Sequence, residues 1–176
     1  MTKEKFKTIN NKLDKILKLL ENPVITTGTT TYNPVEKWNI LKMKSEHTAE
    51  YLFKECKKLF DCYSWIDLSK VKSDRNGDYT ITFKPSIEAD EEWKNISAND
   101  LPKDGKFITL PERLFMEIQY FRETGKHLDI DNWTLAAGSR YLRGSIPCVC
   151  RYRDKFRVGS CDPSRADDAF SSRSAV

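Results

Sequence analysis

The last 44 residues of this 176-residue chain, Trp133 to Val176, draw on a different set of amino acids from the rest. They contain no Glu, Gln, Asn or Met and a single Lys, Lys155, yet they hold seven of the ten Arg and three of the five Cys. All twelve Glu lie before them. The charge divides the same way. Residues 1–132 carry 22 basic and 22 acidic residues and 133–176 carry 8 and 4, so the whole net charge of +4 sits in the tail. A break of this kind marks either an arginine-rich surface or a segment under its own rule of residue choice.

The length suits one domain with a proper core plus an appendage. With 39% hydrophobic and 32% charged residues, the composition is that of a soluble globular chain. No apolar run approaches the ~20 residues of a membrane span. The first fifteen residues are too charged for a secretory signal, so neither membrane insertion nor export by that route is expected. The net charge is too small to demand a nucleic-acid partner. Five Cys is an odd count, whereas a disulfide framework favours even counts in shorter chains. Cys148 and Cys150 have C-x-C spacing, but zinc knuckles use paired C-x2-C, and His47 and His127 have no ligand-like neighbours. No metal or cofactor is expected.

Along the chain, Phe6, Ile9, Leu13, Ile16 and Leu20 alternate by three and four, the apolar face of an amphipathic helix over 1–22. Its seam spans about two heptads, so it can serve a homo-oligomer or pack on the chain's own domain. A polar, β-branched stretch over 23–36 follows as a linker or lone edge strand. From 37 to 176 the pattern is that of a single domain. Trp38, Leu41, Ala49, Leu52, Phe53, Cys56, Leu59 and Phe60 are spaced as the buried face of a helix. Val71 to Phe83 reads as a hairpin about Asn76-Gly77, with Tyr79, Ile81 and Phe83 alternating. Asp74, Asn76 and Asp78 imitate the start of a calcium loop, but its twelfth position is Pro85 rather than Glu. A second helix opens at Thr109-Leu110-Pro111-Glu112, with Thr109 and Glu112 as a capping box, and ends at Gly125. Leu114, Phe115, Ile118 and Phe121 form its stripe.

After Trp133 short strands alternate with turns. Ile146 to Tyr152 and Phe156 to Gly159 pair as a hairpin around Arg153-Asp154-Lys155. If Val149, Phe156 and Val158 look inward, then Cys148, Cys150, Tyr152 and Arg157 look out. The loops Ser139 to Ser145 and Ser160 to Phe170 would flank that outward face.

Two segments resemble a known family. Ile108-Thr109-Leu110-Pro111-Glu112-Arg113-Leu114-Phe115-Met116-Glu117 is similar to the "LPT-x-x-EW" helix of C-type lectin domains of the formylglycine-generating-enzyme subtype, departing from it at Leu114-Phe115. The tail, with Trp133, Gly138-Ser139-Arg140-Tyr141, Ile146-Pro147, Lys155-Phe156 and Arg173-Ser174-Ala175-Val176, resembles the variable region of diversity-generating retroelement target proteins. Within that family it is similar to the short variable proteins of archaeal viruses. The resemblance covers roughly 105–176. It implies an α+β, C-type lectin-like fold of two helices, short antiparallel strands and long loops, preceded by the amphipathic helix. It also implies that error-prone copying at template adenines turns AAY codons into NNY. Such codons encode Arg, Ser, Cys, Tyr, Phe, Asp, Leu or Ala and never Glu, Gln, Lys, Met or Trp. Lys155 and Trp133 then belong to the fixed scaffold, and the tail cysteines are outcomes of variation.

The function implied is non-enzymatic binding of a variable protein or surface ligand, such as a cell-surface receptor, through 133–176. The expected contact residues are Ser139, Tyr141, Leu142, Arg143, Ser145, Cys148, Cys150, Tyr152, Arg153, Arg157, Ser160, Cys161, Asp162, Ser164, Arg165, Asp168 and Phe170. Two other readings stay open. Cys148 and Cys150 suggest the reactive pair of the oxidases in the formylglycine-generating subtype, since a thiol beside Arg151 and Arg153 can be activated. Arg140, Arg143, Arg151, Arg153, Arg157, Arg165 and Arg173, with Tyr141, Tyr152 and Phe156, suggest a nucleic-acid module.

Overall fold

The computed structural model describes residues 37–176, and the first element in them is a strand where the spacing suggests a helix. Strand β1 (Ile40–Met43) buries Leu41 and Met43 by simple alternation. Helix α1 (Ala49–Leu59) starts only at Thr48, whose hydroxyl accepts the Tyr51 N–H at 3.2 Å. Trp38 therefore reaches the core from a turn and Leu41 from β1, and the helical face begins at Ala49. The expected helix over 1–22 and linker over 23–36 lie outside the described residues.

Strands β2 (Cys62–Ser64), β3 (Lys72–Ser73) and β4 (Tyr79–Thr82) follow, and the expected hairpin across them does not form. β4 pairs antiparallel with β1, placing Ile40 opposite Thr82. Gly77 takes a left-handed φ of 86°, but Asn76 does not, so the type I′ turn is absent. Arg75 supplies the reason. Its guanidinium leaves the ladder to fork onto Glu112 at 2.8 and 2.9 Å, and Tyr79 donates to the same carboxylate at 2.8 Å.

Helix α2 (Leu110–Thr124) forms as its caps predict. Thr109 accepts the Glu112 N–H at 3.3 Å, Glu112 accepts the Thr109 N–H at 2.8 Å, and Gly125 closes the helix at φ 68°. Leu114 and Ile118 are buried against Leu52, Phe53 and Cys56 of α1. Arg113 and Glu117, on the same helix, are fully buried as well. They belong to an ionic cluster in which Asp129 bridges Arg113 and Arg173 at 2.8 and 2.7 Å, while Glu117 binds Arg113 and His127 at 2.7 Å each.

The remaining strands are β5 (Trp133–Leu135), β6 (Ser139–Arg140), β7 (Ile146–Tyr152), β8 (Lys155–Cys161) and β9 (Phe170–Ser171). β7 and β8 make the expected hairpin, closed by Arg153 and Asp154 alone at φ 48° and 62°, so Lys155 joins the strand opposite Tyr152. Around them a five-stranded sheet runs β2-β8-β7-β5-β9, with β2 and β9 joining in parallel. β6 pairs with β3. The architecture is mixed α+β, with two α-helices among the described residues.

The chain's end is structural. The Arg173 carbonyl accepts the Ile108 N–H at 2.9 Å, and the Val176 N–H donates to Thr82 at 2.9 Å. Gly138 lies against the strand-like segment before α2, where a Cβ would sit 2.4 Å from the Phe107 carbonyl oxygen. Backbone cannot yield as a side chain does, so Gly138→Ala is expected to destabilise by about 1–3 kcal/mol, checked by urea denaturation.

Candidate binding surface

Alternation along β7 and β8 gives the sheet two faces. Val149, Phe156 and Val158 enter the core under the helices. Cys148, Cys150, Tyr152 and Arg157 take the opposite face, as their period of two requires. That face is not bare. Cys148 and Cys150 are only 3% and 2% exposed. Leu135, Ile146 and Phe170 pack around Cys148. Trp65 covers it from the other side, because Gly159, opposite Cys148, leaves room for the indole; a Cβ there would lie 3.2 Å from the ring.

Four expected contact residues are therefore interior: Ser139, Cys148, Cys150 and Phe170. Ser139 is held because its hydroxyl accepts the Leu110 N–H at 2.9 Å and pairs with the Ser73 hydroxyl at 2.8 Å. Phe170 is held because β9 adds to the sheet beside Trp133, rings 5.7 Å apart. Arg173, counted among surface arginines in the nucleic-acid reading, is a core ion bound to Asp129.

Thirteen candidates remain at or near the surface, and the register separates them into two groups. Ile146 pairs with Cys161, so the loops 141–145 and 162–169 leave the hairpin at one end. Tyr141, Leu142, Arg143, Ser145, Ser160, Cys161, Asp162, Ser164, Arg165 and Asp168 gather there. The first loop is tight, with Arg143 at φ 59° and the Tyr141 N–H donating to Ser145 at 2.7 Å. In the second, Asp162 accepts the Ser164 N–H at 2.8 Å, and Arg165 lies 4.8 Å over the Phe170 ring. Tyr152 and Arg153 lie at the other end, about 20 Å away along a seven-residue strand, with Arg157 between, about 13 Å from Cys161.

The second group meets residues that the tail-centred reading omits. Tyr63 and Trp65 are 51% and 53% exposed, with ring centroids 5.6 Å apart. Their signal is the alternation Tyr63-Ser64-Trp65, which continues the parallel register of Tyr63 with Arg157. The Arg157 guanidinium lies 4.6 Å from the Tyr152 ring and 5.2 Å from Trp65, and Arg153 caps Tyr152 at 5.2 Å.

The cysteines do not form an activated C-x-C pair. Burial pushes the Cys150 thiol up to about 11. Cys148 is raised by its hydrogen bond to Cys161 and by burial, and that bond lowers Cys161. Iodoacetamide at pH 8 is expected to modify Cys161 first and to spare Cys56, Cys148 and Cys150 until the protein unfolds, as read by peptide mass spectrometry. Among the described residues no group of three or more His, Cys, Asp or Glu is placed to hold a metal, and no helix is long and apolar enough to cross a membrane. A cleft of about 490 Å³ lined by His47, Arg75 and Tyr79 contains no tail residue. No family model, no curated protein and no solved structure matches the chain.

Proposed function

We propose that the protein binds macromolecular ligands through a diversified surface in its last 44 residues, carried on a C-type lectin-like scaffold and varied by a diversity-generating retroelement. The observation that supports this reading is the partition of the tail. Its two loops, the Arg153–Asp154 turn and the adjoining Tyr152 are largely solvent-facing, while Ser139, Cys148, Cys150, Phe170 and Arg173 are interior. Two helices, short mostly antiparallel strands and long loops accord with such a scaffold. A stiff frame lets each variant meet a partner with little ordering cost, and Tyr and Arg are the residues that make binding hot spots. The four interior candidates then belong to the scaffold.

A displayed library with NNY codons at the nine exposed candidates tests this. Most members should melt cooperatively near the parent temperature and yield binders to different targets. Widespread loss of folding, or one invariant specificity, would sink the proposal.

A second reading is a nucleic-acid module, favoured by the interleaving of Tyr63, Trp65 and Tyr152 with Arg153 and Arg157. It requires oligonucleotide affinity that falls steeply with salt.

A further inference from the structure

Among the described residues, the Tyr63–Trp65–Tyr152 cluster holds a cation with no anion beside it. Arg157 is half-buried between two rings, and among the described residues it has neither a carboxylate nor a hydrogen-bond partner. Arg153, over the outer ring, also has no carboxylate partner among the described residues. The neighbouring charges are already paired: Arg151 with Asp154 at 3.3 Å and Lys155 with Asp61 at 3.1 Å. A half-buried guanidinium without a counter-charge is costly, and ring stacking offsets that only in part.

We infer that this cluster is an anchoring subsite for a carboxylate side chain, taking a partner protein segment in which Asp or Glu stands beside an aromatic or aliphatic residue. The subsite joins fixed residues, Tyr63 and Trp65, to the tail residues Tyr152, Arg153 and Arg157, and it rests on the binding-surface reading above. Three facts favour an acidic peptide. The uncompensated charge is two guanidinium groups, which suits one or two carboxylates, whereas a nucleic-acid backbone is tracked by a longer row of cations. The guanidinium fork matches a carboxylate with two parallel hydrogen bonds. The exposed rings on either side offer apolar area to the residue next to the acid, and they hold the Arg157 plane in advance, which lowers the ordering cost.

Selection of a random-peptide phage library on the full chain tests this, with an oligothymidylate as the competing probe. Enriched peptides should carry Asp or Glu next to an aromatic or aliphatic residue. Their affinity should fall about 30-fold in Arg157→Gln and in Trp65→Ala, and equally when the peptide's acid becomes its amide. Arg157→Lys, which keeps the charge and the fold but loses the planar fork, should lose about tenfold. Peptides without acidic enrichment, no enrichment at all, affinity untouched by these changes, or tighter binding of the oligothymidylate would each overturn the subsite. Peptides lost instead on Arg143→Ala or Arg165→Ala would overturn it while leaving the diversified surface standing, and the NNY library tests that surface separately.

Discussion

Asp129→Ala is expected to destabilise the protein by about 3–5 kcal/mol, and to lower its melting temperature by roughly 10–15 °C. Asp129 is fully buried and receives Arg113 at 2.8 Å, Arg173 at 2.7 Å and the Thr134 hydroxyl. Arg113 retains Glu117 when Asp129 is removed, but Arg173 keeps only the carbonyls of Ser86 and Ile87 and the Ser86 hydroxyl. A buried guanidinium is then left without a carboxylate, which is the costly case for a buried ion pair. The pH dependence follows. Burial pushes the Asp129 carboxyl up, but the charges of Arg173 and Arg113 and the Thr134 hydrogen bond outweigh it and hold the group below the ordinary carboxylate range. A depressed pKa contributes stability that is complete above the unfolded value of about 3.9 and is lost as pH falls through the lower folded value. Wild-type stability should therefore decline in acid over that window, and Asp129→Asn should lack this part of the decline. Urea denaturation at a series of pH values reads both.

The second large effect separates neighbours within the tail. Phe170→Ala should cost about 3–5 kcal/mol, because the buried ring fills the cluster formed by Leu135, Ile146 and Cys148, and its loss removes that burial and leaves a cavity. Arg165→Ala, removing the cation that lies on the same ring, should cost less than about 1 kcal/mol, since that side chain is solvent-facing. Thermal melts of the two variants decide it. Equal effects would mean that burial does not separate variable from fixed positions here.

These two residues show where sequence reading succeeds and where it stops. The caps of α2 were legible because Thr109, Pro111, Glu112 and Gly125 act within one turn of their own helix. The faces of β7 and β8 were legible because a period of two needs only the strand itself. What covers a face is a property of distant chain. Trp65 closes over Cys148 from the bend just after β2, more than eighty residues earlier, and β9 places Phe170 beside Trp133 from the far side of a loop. Pairing partners were illegible for the same reason: Asn76-Gly77 carries a strong local turn signal, yet Arg75 and Tyr79 are committed to Glu112, and β3 goes to Ser139. The ionic core was hidden because Arg113, Glu117 and Asp129 look like ordinary surface residues until Arg173 arrives. Of the binding surface, the loops were readable from composition and turns. Tyr63 and Trp65 were not, because they lie outside the segment whose composition stands apart.

If a retroelement diversifies this tail, its exposed positions vary and its buried ones stay fixed. Sequencing this locus across a natural population tests it most directly. A diversified tail requires a nearby near-copy of its coding DNA that differs only at adenines. Amino-acid changes are then expected to concentrate at positions such as Leu142, Arg143, Tyr152, Arg153, Ser164 and Arg165, with Ser139, Cys148, Cys150, Phe170 and Arg173 unchanged. Changes spread evenly over the chain, with no such copy, would contradict it.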